Sequence, residues 1–371
     1  MNKLIPILSV IAISAVAITC NKSSSTNTTS TYPMKRTIDG VFLDNYGNHS
    51  FCQAAGNSFV FLARTASYKM YVAKISSGLD MIWEKTYFDQ VDNVGGLEAL
   101  SDGGFVIACN MHDTTGHPWD PYRVKVLKLN AAGEFLWEKN YWFTCFYRES
   151  YSIRETYDKG ICLTTTYFLK ENPNEFLPAL FRMDEHGDSL WTVCIPGQKN
   201  SMASDLLVTK DHGYLLSGIY FLSKVDSTGE IEWTQKNVPN ISCMIHIGND
   251  SIACLGSDHN DHWESEPALA MFDAGGNKVW EKVYSYFDEG VSFSICSLVV
   301  SPGGGFAFTS AQYNNIYMTF TDARGNNQTM ISLEGYIPAG LTCSGGVYYY
   351  YYYWLNPTTH MLNPVIYAFK R

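Results

Sequence analysis

The most constraining feature of this chain is a hairpin that keeps returning. In Val124–Trp137 (VKVLKLNAAGEFLW) an apolar strand meets an Asn-Ala-Ala-Gly turn, and a second strand ends on tryptophan four residues after the glycine. Related segments are Tyr71–Trp83, Leu180–Trp191, Phe221–Trp233, Leu269–Trp280 and Tyr317–Met330. Gly133, Gly187, Gly229 and Gly276 each precede their tryptophan by four residues. The first copy departs, with Gly78 one place early and Leu79 at the glycine position; the last keeps Gly325 but has lost the tryptophan. Strand, glycine turn and strand make a β-hairpin by pattern. The glycine admits positive φ, and the Asx side chain caps its own backbone. The tryptophan is expected to pack between neighbouring units.

A second hairpin alternates with the first: a strand, a tight glycine turn and an apolar strand. Its copies are Phe51–Arg64, Leu97–Asn110, Ser152–Thr165, Leu206–Gly218, Cys243–Gly256, Leu298–Ser310 and Leu341–Tyr353. Six hairpins of one kind and seven of the other leave half a unit unaccounted for. Val365–Lys370 (VIYAFK) matches the first strand of the Trp hairpin and then stops. Met34–Asp44 supplies the strand that follows. The fold class predicted is all-β: a seven-bladed β-propeller of four-stranded blades, its ring closed by the C-terminal strand pairing with N-terminal strands. Residues 36–371 divided by seven give about 48 per unit, within the range for four-stranded blades. Four short strands bury both faces only between neighbours, and closure leaves only short edges exposed. In the Tyr348–Tyr353 run, alternate rings are expected on opposite sides, some between blades and others reaching solvent.

The amino terminus stands outside this repeat. Lys3 supplies a positive charge, and Leu4–Ala17 is apolar but too short for a membrane span. Ala17-Ile18-Thr19-Cys20 and the Ser/Thr/Asn-rich stretch behind it resemble a bacterial lipoprotein signal. That resemblance implies a signal peptide over 1–19, lipidation of Cys20, a flexible polar linker over 20–35 and the propeller over 36–371. It also implies a place in the cell envelope as an outer-membrane lipoprotein, held to the membrane through its lipid and facing the periplasm or the surface. The other reading of the residues is an ordinary signal peptide cut after Ala15-Val16-Ala17.

The net charge is −10. No basic stripe is present to release counterions from phosphates, which argues against nucleic acid. Removing Cys20 leaves nine cysteines with no C-x-x-C pair. Cys109, Cys162, Cys254 and Cys296 sit in apolar runs, so they read as buried free thiols rather than disulfides or zinc ligands. Asp184-Glu185-His186-Gly187 with Trp191, and Asp226-Ser227-Thr228-Gly229 with Trp233, resemble the D-x-x-G-x-x-x-W repeat of quinoprotein-like (PQQ-like) propellers. The wider pattern of W-E-K followed by D-G-G-[FY] is similar to that of propeller lipoproteins of uncharacterised function from gram-negative bacteria. The quinoprotein enzymes carry a calcium-and-quinone site. No position here matches one, so no cofactor is expected.

The alternation also sorts the faces. Both kinds of tight turn fall on one face, and both connecting loops fall on the other. Length variation is concentrated in the loops, where rigid scaffolds tend to place function. Three loops stand out: Met111–Tyr122 with His112, His117, Trp119 and Asp120; Tyr141–Glu149 with Trp142, Tyr147 and Arg148; and Ser257–Glu266 with Asp258, His259, Asp261, His262, Trp263 and Glu264. The aromatic residues suit stacking on a glycan or anchoring a protein. Imidazole and carboxylate at this density suit a metal, but H-N-D-H is no established ligand spacing, and no metal is expected. No G-x-S-x-G elbow or P-loop occurs. The expected role is therefore a binding or scaffold module, monomeric, for an envelope protein, peptide or glycan. The alternative is an envelope hydrolase or lyase using loop-face carboxylates among Asp113, Asp120, Asp258 and Glu264.

Overall fold

The computed structural model describes residues 32–39, 41–42, 49–112, 122–141, 152–169, 172–236, 238–248, 250–259, 265–284, 294–312, 315–333, 335, 337–355 and 362–371. Among these residues there is no helix; the chain forms seven antiparallel blades arranged as a β-propeller. Two short strands come first, β1 (Met34–Thr37) and β2 (Val41–Phe42). Blade 1 holds β3 (Phe51–Ala54), β4 (Ser58–Thr65), β5 (Met70–Ser76) and β6 (Met81–Tyr87). Blade 2 holds β7 (Val91–Ala99), β8 (Phe105–His112), β9 (Tyr122–Leu129) and β10 (Phe135–Tyr141). Blade 3 holds β11 (Ile153–Glu155), β12 (Ile161–Leu169), β13 (Asn172–Met183) and β14 (Ser189–Cys194). Blade 4 holds β15 (Ala203–Val208), β16 (Tyr214–Gly218), β17 (Phe221–Val225) and β18 (Ile231–Lys236). Blade 5 holds β19 (Asn240–Ile247), β20 (Ser251–His259), β21 (Ser265–Phe272) and β22 (Lys278–Val283). Blade 6 holds β23 (Ser294–Val300), β24 (Phe306–Gln312), β25 (Asn315–Thr321) and β26 (Asn327–Leu333). Blade 7 takes β27 (Ile337–Ser344), β28 (Val347–Leu355) and β29 (Leu362–Lys370) from the C-terminal end and β1 from the other, in the order β1-β29-β28-β27. The closure expected from the sequence is thus present. The N-terminal segment does more than expected, because β2 also adds to β4 of blade 1, beyond the short inner strand β3.

The Asx turns behave as their chemistry dictates. Asn130 Oδ1 accepts from Ala132 N at 3.0 Å and Glu134 N at 2.9 Å. Asp184, Asp226 and Asp322 repeat this, each accepting from the residues two and four places on. Each turn glycine is left-handed, from φ 68 at Gly133 to φ 97 at Gly229.

Glycine is required there for a second reason. The tryptophan of each blade lies on the turn glycine of the next. A Cβ at Gly133 would stand 2.9 Å from the Trp83 ring, one at Gly187 3.0 Å from Trp137, and one at Gly276 2.5 Å from Trp233. Trp191 on Gly229 and Trp280 on Gly325 continue the series. Four residues after the tryptophan, the hydroxyls of Tyr87, Tyr141 and Tyr284 donate to the carbonyls of the same glycines, Gly133, Gly187 and Gly325.

The two irregular copies are explained by closure. Blade 7 has no Asx turn, because its outer strand, β1, does not follow β29 in the chain. The tryptophan of blade 6 would have nothing to clasp, and Thr329 holds its place, bonded by the Arg371 guanidinium at 2.8 Å. By register, Met34, opposite Ala368, stands where the other outer strands carry tryptophan, so no indole presses on the first turn. Leu79 accordingly replaces glycine there at φ 64, and Arg36 Nη1 donates to its carbonyl at 2.7 Å.

The closing blade is held instead by tyrosine. Tyr348, Tyr350 and Tyr352 join the apolar cluster shared with blade 6, and Tyr349, Tyr351 and Tyr353 join that of blade 1. The expected alternation is present, but the expectation that some rings reach solvent is wrong: all six are at most 3% exposed. A blade is covered on both faces by its neighbours, so period-2 alternation does not divide buried from exposed. Among the described residues Cys52, Cys109, Cys162, Cys194, Cys243, Cys254 and Cys343 are free thiols. Cys109, Cys162 and Cys254 are buried, as their apolar runs imply.

Two glycines of like φ separate the cost of backbone strain from that of the tryptophan. Gly56 (φ +73) has nothing within 4 Å of a Cβ, whereas Gly276 (φ +77) faces Trp233. Gly56→Ala is expected to cost about 1 kcal/mol and Gly276→Ala roughly 1–3 kcal/mol more through overpacking. Chemical denaturation of the two variants checks this, and equal losses contradict the clasp.

Candidate functional site

The inner strands β3, β7, β11, β15, β19, β23 and β27 touch one another in order around the ring. Five carry a register shift at the same place, which sets aside Gly95, Ser204, Ser242, Cys296 and Ala339. Bulges bend a strand and re-aim its side chains. The residues that follow are Gly96, Asp205, Cys243, Ser297 and Gly340. Ser50 and Ser152 take the same place in blades 1 and 3, accepting at their carbonyls from Leu62 N and Thr164 N. Small residues are needed where seven strands converge; a Cβ on Gly340 would meet Phe51 Cβ at 2.7 Å.

Asp205 is the exception, a carboxylate in a ring of glycine, serine and cysteine, with no exposure. Its Oδ1 accepts from Ser152 Oγ at 2.7 Å, Arg154 Nη2 at 3.1 Å and Leu206 N at 2.7 Å. Its Oδ2 accepts from Met244 N at 2.7 Å. His49, from the segment entering blade 1, brings Nε2 to 3.4 Å from Asp205 and from the Ser204 carbonyl. Arg154 extends the cluster to Glu98 at 3.8 Å and donates to the Ile153 carbonyl at 2.8 Å. The network therefore ties blades 1, 2, 3, 4 and 5 together at the axis.

Charges removed from water persist only when paired and bonded, and Asp205 meets that condition. Glu98 does not meet it fully. Burial, the largest effect, pushes its carboxyl up to about 7; Arg154 opposes this, while Glu155 and Asp205 add to it. Its side chain keeps 29% exposure, so protons can reach it. Burial lowers His49 below its ordinary value, Asp205 opposes, and Arg154 adds to the lowering. Burial also raises the thiols Cys162 and Cys243 to about 12, which keeps them protonated and poorly nucleophilic. Glu98 is thus a group able to exchange a proton near neutral pH. Its neighbour Asp205 is fully engaged in bonds to the scaffold, which suits a pin better than a reacting pair.

This axial cluster escapes a reading of the sequence. The signal was a charged residue inside each of three apolar inner strands, Glu98 in LEAL, Arg154 in SIRE and Asp205 in SDLL, about fifty residues apart. The residues singled out on the loops fare differently. His112 ends β8 opposite Tyr122, and Asp258 and His259 end β20 opposite Glu266 and Ser265. The two loops thus leave equivalent corners of blades 2 and 5. The side chains of His112, Asp258 and His259 lie outside the described residues, as do His117, Trp119, Asp120, Trp142, Tyr147, Arg148, Asp261, His262, Trp263, Glu264 and Cys20. Among the described residues no three His, Cys, Asp or Glu side chains gather in a metal-holding group.

The turn face carries contacts between and within blades. Glu155 accepts from Ser101 N at 2.7 Å and Ser101 Oγ at 2.8 Å, and Lys159 Nζ donates to Ser101 Oγ at 2.6 Å. Tyr157 stacks on His212 of the next blade at 4.1 Å. Lys128, Arg182 and Lys224 pair with the turn carboxylates Asp102, Asp158 and Asp211 of their own blades.

No family model matches this chain, and no curated protein matches it. Solved structures do. A protein from Lactobacillus plantarum is 11% identical with TM-score 0.56, covering 82% of this chain and 94% of that one. The polysaccharide lyase Uly1 is 8% identical with TM-score 0.54, covering 88% and 90%. BBS1N, crystallised in complex with ARL6DN, is 9% identical with TM-score 0.52, covering 91% and 96%. At these identities the likeness is one of fold.

Two substitutions test the cluster. Asp205→Ala leaves Arg154 and three further donors without their acceptor and is expected to cost about 3–5 kcal/mol in denaturation experiments. Glu98 holds its proton more tightly folded than unfolded. From the ordinary value of 4.5 up to about 7 the unfolded chain has lost that proton and the folded chain has not, so stability falls as pH rises through this window. His49 acts in the opposite sense, its contribution falling as pH drops below 6.5. Glu98→Gln should remove the first effect alone. Its melting temperature is expected to decline less than that of the native chain from about pH 5 to 7; parallel profiles contradict the assignment.

Proposed function

We propose that this chain is a lipid-anchored propeller of the cell envelope that binds a protein, peptide or glycan through its loop face. The observation that carries the reading is the inequality of the two faces. The turn face is short and regular and carries bonds between and within blades, and the axis is pinned by Asp205. The blades' long connections all leave from the other face. Those connections carry Trp119, Trp142, Tyr147 and Trp263, side chains suited to stacking and anchoring. Cys20 and the polar stretch behind it supply the anchor and the spacer. A propeller of similar fold has been crystallised in complex with another protein, which fits a binding role.

A second reading, an envelope hydrolase or lyase, draws on one observation, the carboxyl of Glu98 poised near neutral pH. The similar fold of a polysaccharide lyase is compatible with it.

Replacing Trp119 and Trp263 together with alanine is expected to reduce capture of envelope proteins or of glycans on an array by roughly tenfold or more, as for loss of two anchor residues. Undiminished capture contradicts the loop-face reading. Palmitate labelling should disappear in Cys20→Ala; label retained in the variant contradicts the anchor. Turnover of an envelope polysaccharide that is lost in Glu98→Gln would favour the enzyme.

A further inference from the structure

Every outer strand is continuous with its blade except β1. It has four residues, all half-buried or exposed, and is joined to blade 7 by its ladder to β29, Met34↔Ala368 through Thr37↔Val365, with the Tyr32 ring under the Lys370 ammonium just ahead of it. Ile38 N to the Pro364 carbonyl at 3.0 Å and Asn363 Nδ2 to Asp39 at 3.3 Å extend this docking by two residues. The indole clasps that secure other outer strands are missing on both sides of blade 7: Thr329 replaces the tryptophan of blade 6, and Met34 takes its place in β1. The strand beneath is held firmly. Tyr348–Tyr353 on β28 are buried against blades 6 and 1, Tyr351 donates to the Leu62 carbonyl at 2.9 Å, and Tyr348 to Ser301 Oγ at 3.1 Å. If β1 leaves, β27, β28 and β29 keep their place, and β29 presents an open edge.

We propose that this edge is a strand-acceptor site and that its second occupant is β1 of another copy of the chain. An exposed edge of this kind is a template for pairing. The second copy is the occupant whose fit is already demonstrated: the same four residues, the same register and the same Arg36 bond to the Leu79 carbonyl. Charge favours the encounter, because Lys35 and Arg36 are adjacent cations in a chain of net charge −10. Reciprocal exchange gives a closed two-fold dimer without any new interface chemistry. Only residues 38–40 separate β1 from β2, a reach of about 10 Å when extended, so the closing blades of the two copies must abut. The monomer closed in cis is the resting form, and exchange grows with concentration.

The test uses the full chain in detergent, in two preparations carrying donor and acceptor dyes. They are mixed at high concentration, warmed below the main unfolding transition and cooled. Energy transfer and light scattering are expected to report a dimer whose ratio to monomer rises with concentration and which survives dilution in the cold. Met34→Cys with Ala368→Cys, directly opposite in register, should lock β1 in cis when oxidised and abolish the dimer, and reduction should restore it. Should that pair fail to bridge, Arg36→Pro, which removes an amide that faces β29, should abolish the dimer equally. Hydrogen exchange should be faster at the β29 amides facing β1 than across β28. Absence of dimer at every concentration overturns the proposal. So does a dimer that persists in the oxidised or Arg36→Pro chain, or β29 amides as protected as those of β28. Loop-face variants leave all these readouts unchanged, so failure here is distinct from failure of the binding reading.

Discussion

A tryptophan lying on a glycine one blade ahead is the contact on which this ring depends. The contact is directional: each blade gives a ring to the next and receives one from the previous. It explains why glycine is kept at a position where asparagine would satisfy the backbone, since a Cβ at Gly133, Gly187, Gly276 or Gly325 would crowd the indole. It also accounts for where the pattern fails. At the joint made from two chain ends, one partner of each pair is absent, and the other is free to change. Leu79, buried and left-handed, shows the backbone conformation surviving after the steric demand for glycine has gone.

Rim and axis solve opposite geometric problems. At the rim the blades diverge, and large aromatic side chains fill the gap. At the axis seven strands converge, and only small residues fit. Asp205 fits because its carboxylate replaces bonds the backbone would otherwise make across the gap: it takes the amide of Met244 in blade 5 and the hydroxyl of Ser152 in blade 3. Blades 6 and 7 take no described part in that network. There the Tyr348–Tyr353 strand supplies cohesion through stacked and hydrogen-bonded rings, such as Tyr351 with Tyr353 at 2.7 Å. One ring is therefore held by a polar pin on one side and an aromatic seam on the other.

Much of this was legible in the sequence because the determinants are local and repeated. Gly133 and Trp137 sit four residues apart and return in every regular blade, so hairpin, blade count and closure at Val365–Lys370 follow from spacing alone. The tyrosine run misled because alternation says which side a ring takes but not whether that side meets water. The axial cluster was illegible for a different reason. Glu98, Arg154 and Asp205 come together only through the convergence of separate strands, two of them bulged, and a bulge leaves no mark when the residue set aside is an ordinary Gly95 or Ser204. His49 belongs to no repeat at all; its role depends on where the chain enters the ring.

The polar axis bears on function through what it leaves unused. Arg154 lies between Asp205 and Glu98, and His49 is held neutral by burial, so the cations and anions there largely answer one another. A catalytic centre needs groups whose bonds are available to a substrate, and here Asp205 spends its lone pairs on the scaffold. Within the described cluster Glu98 retains both solvent contact and a carboxyl near neutrality, which supports proton exchange there. Recognition makes the weaker demand, a rigid frame presenting variable loops, and the clasped rim and pinned axis provide that frame.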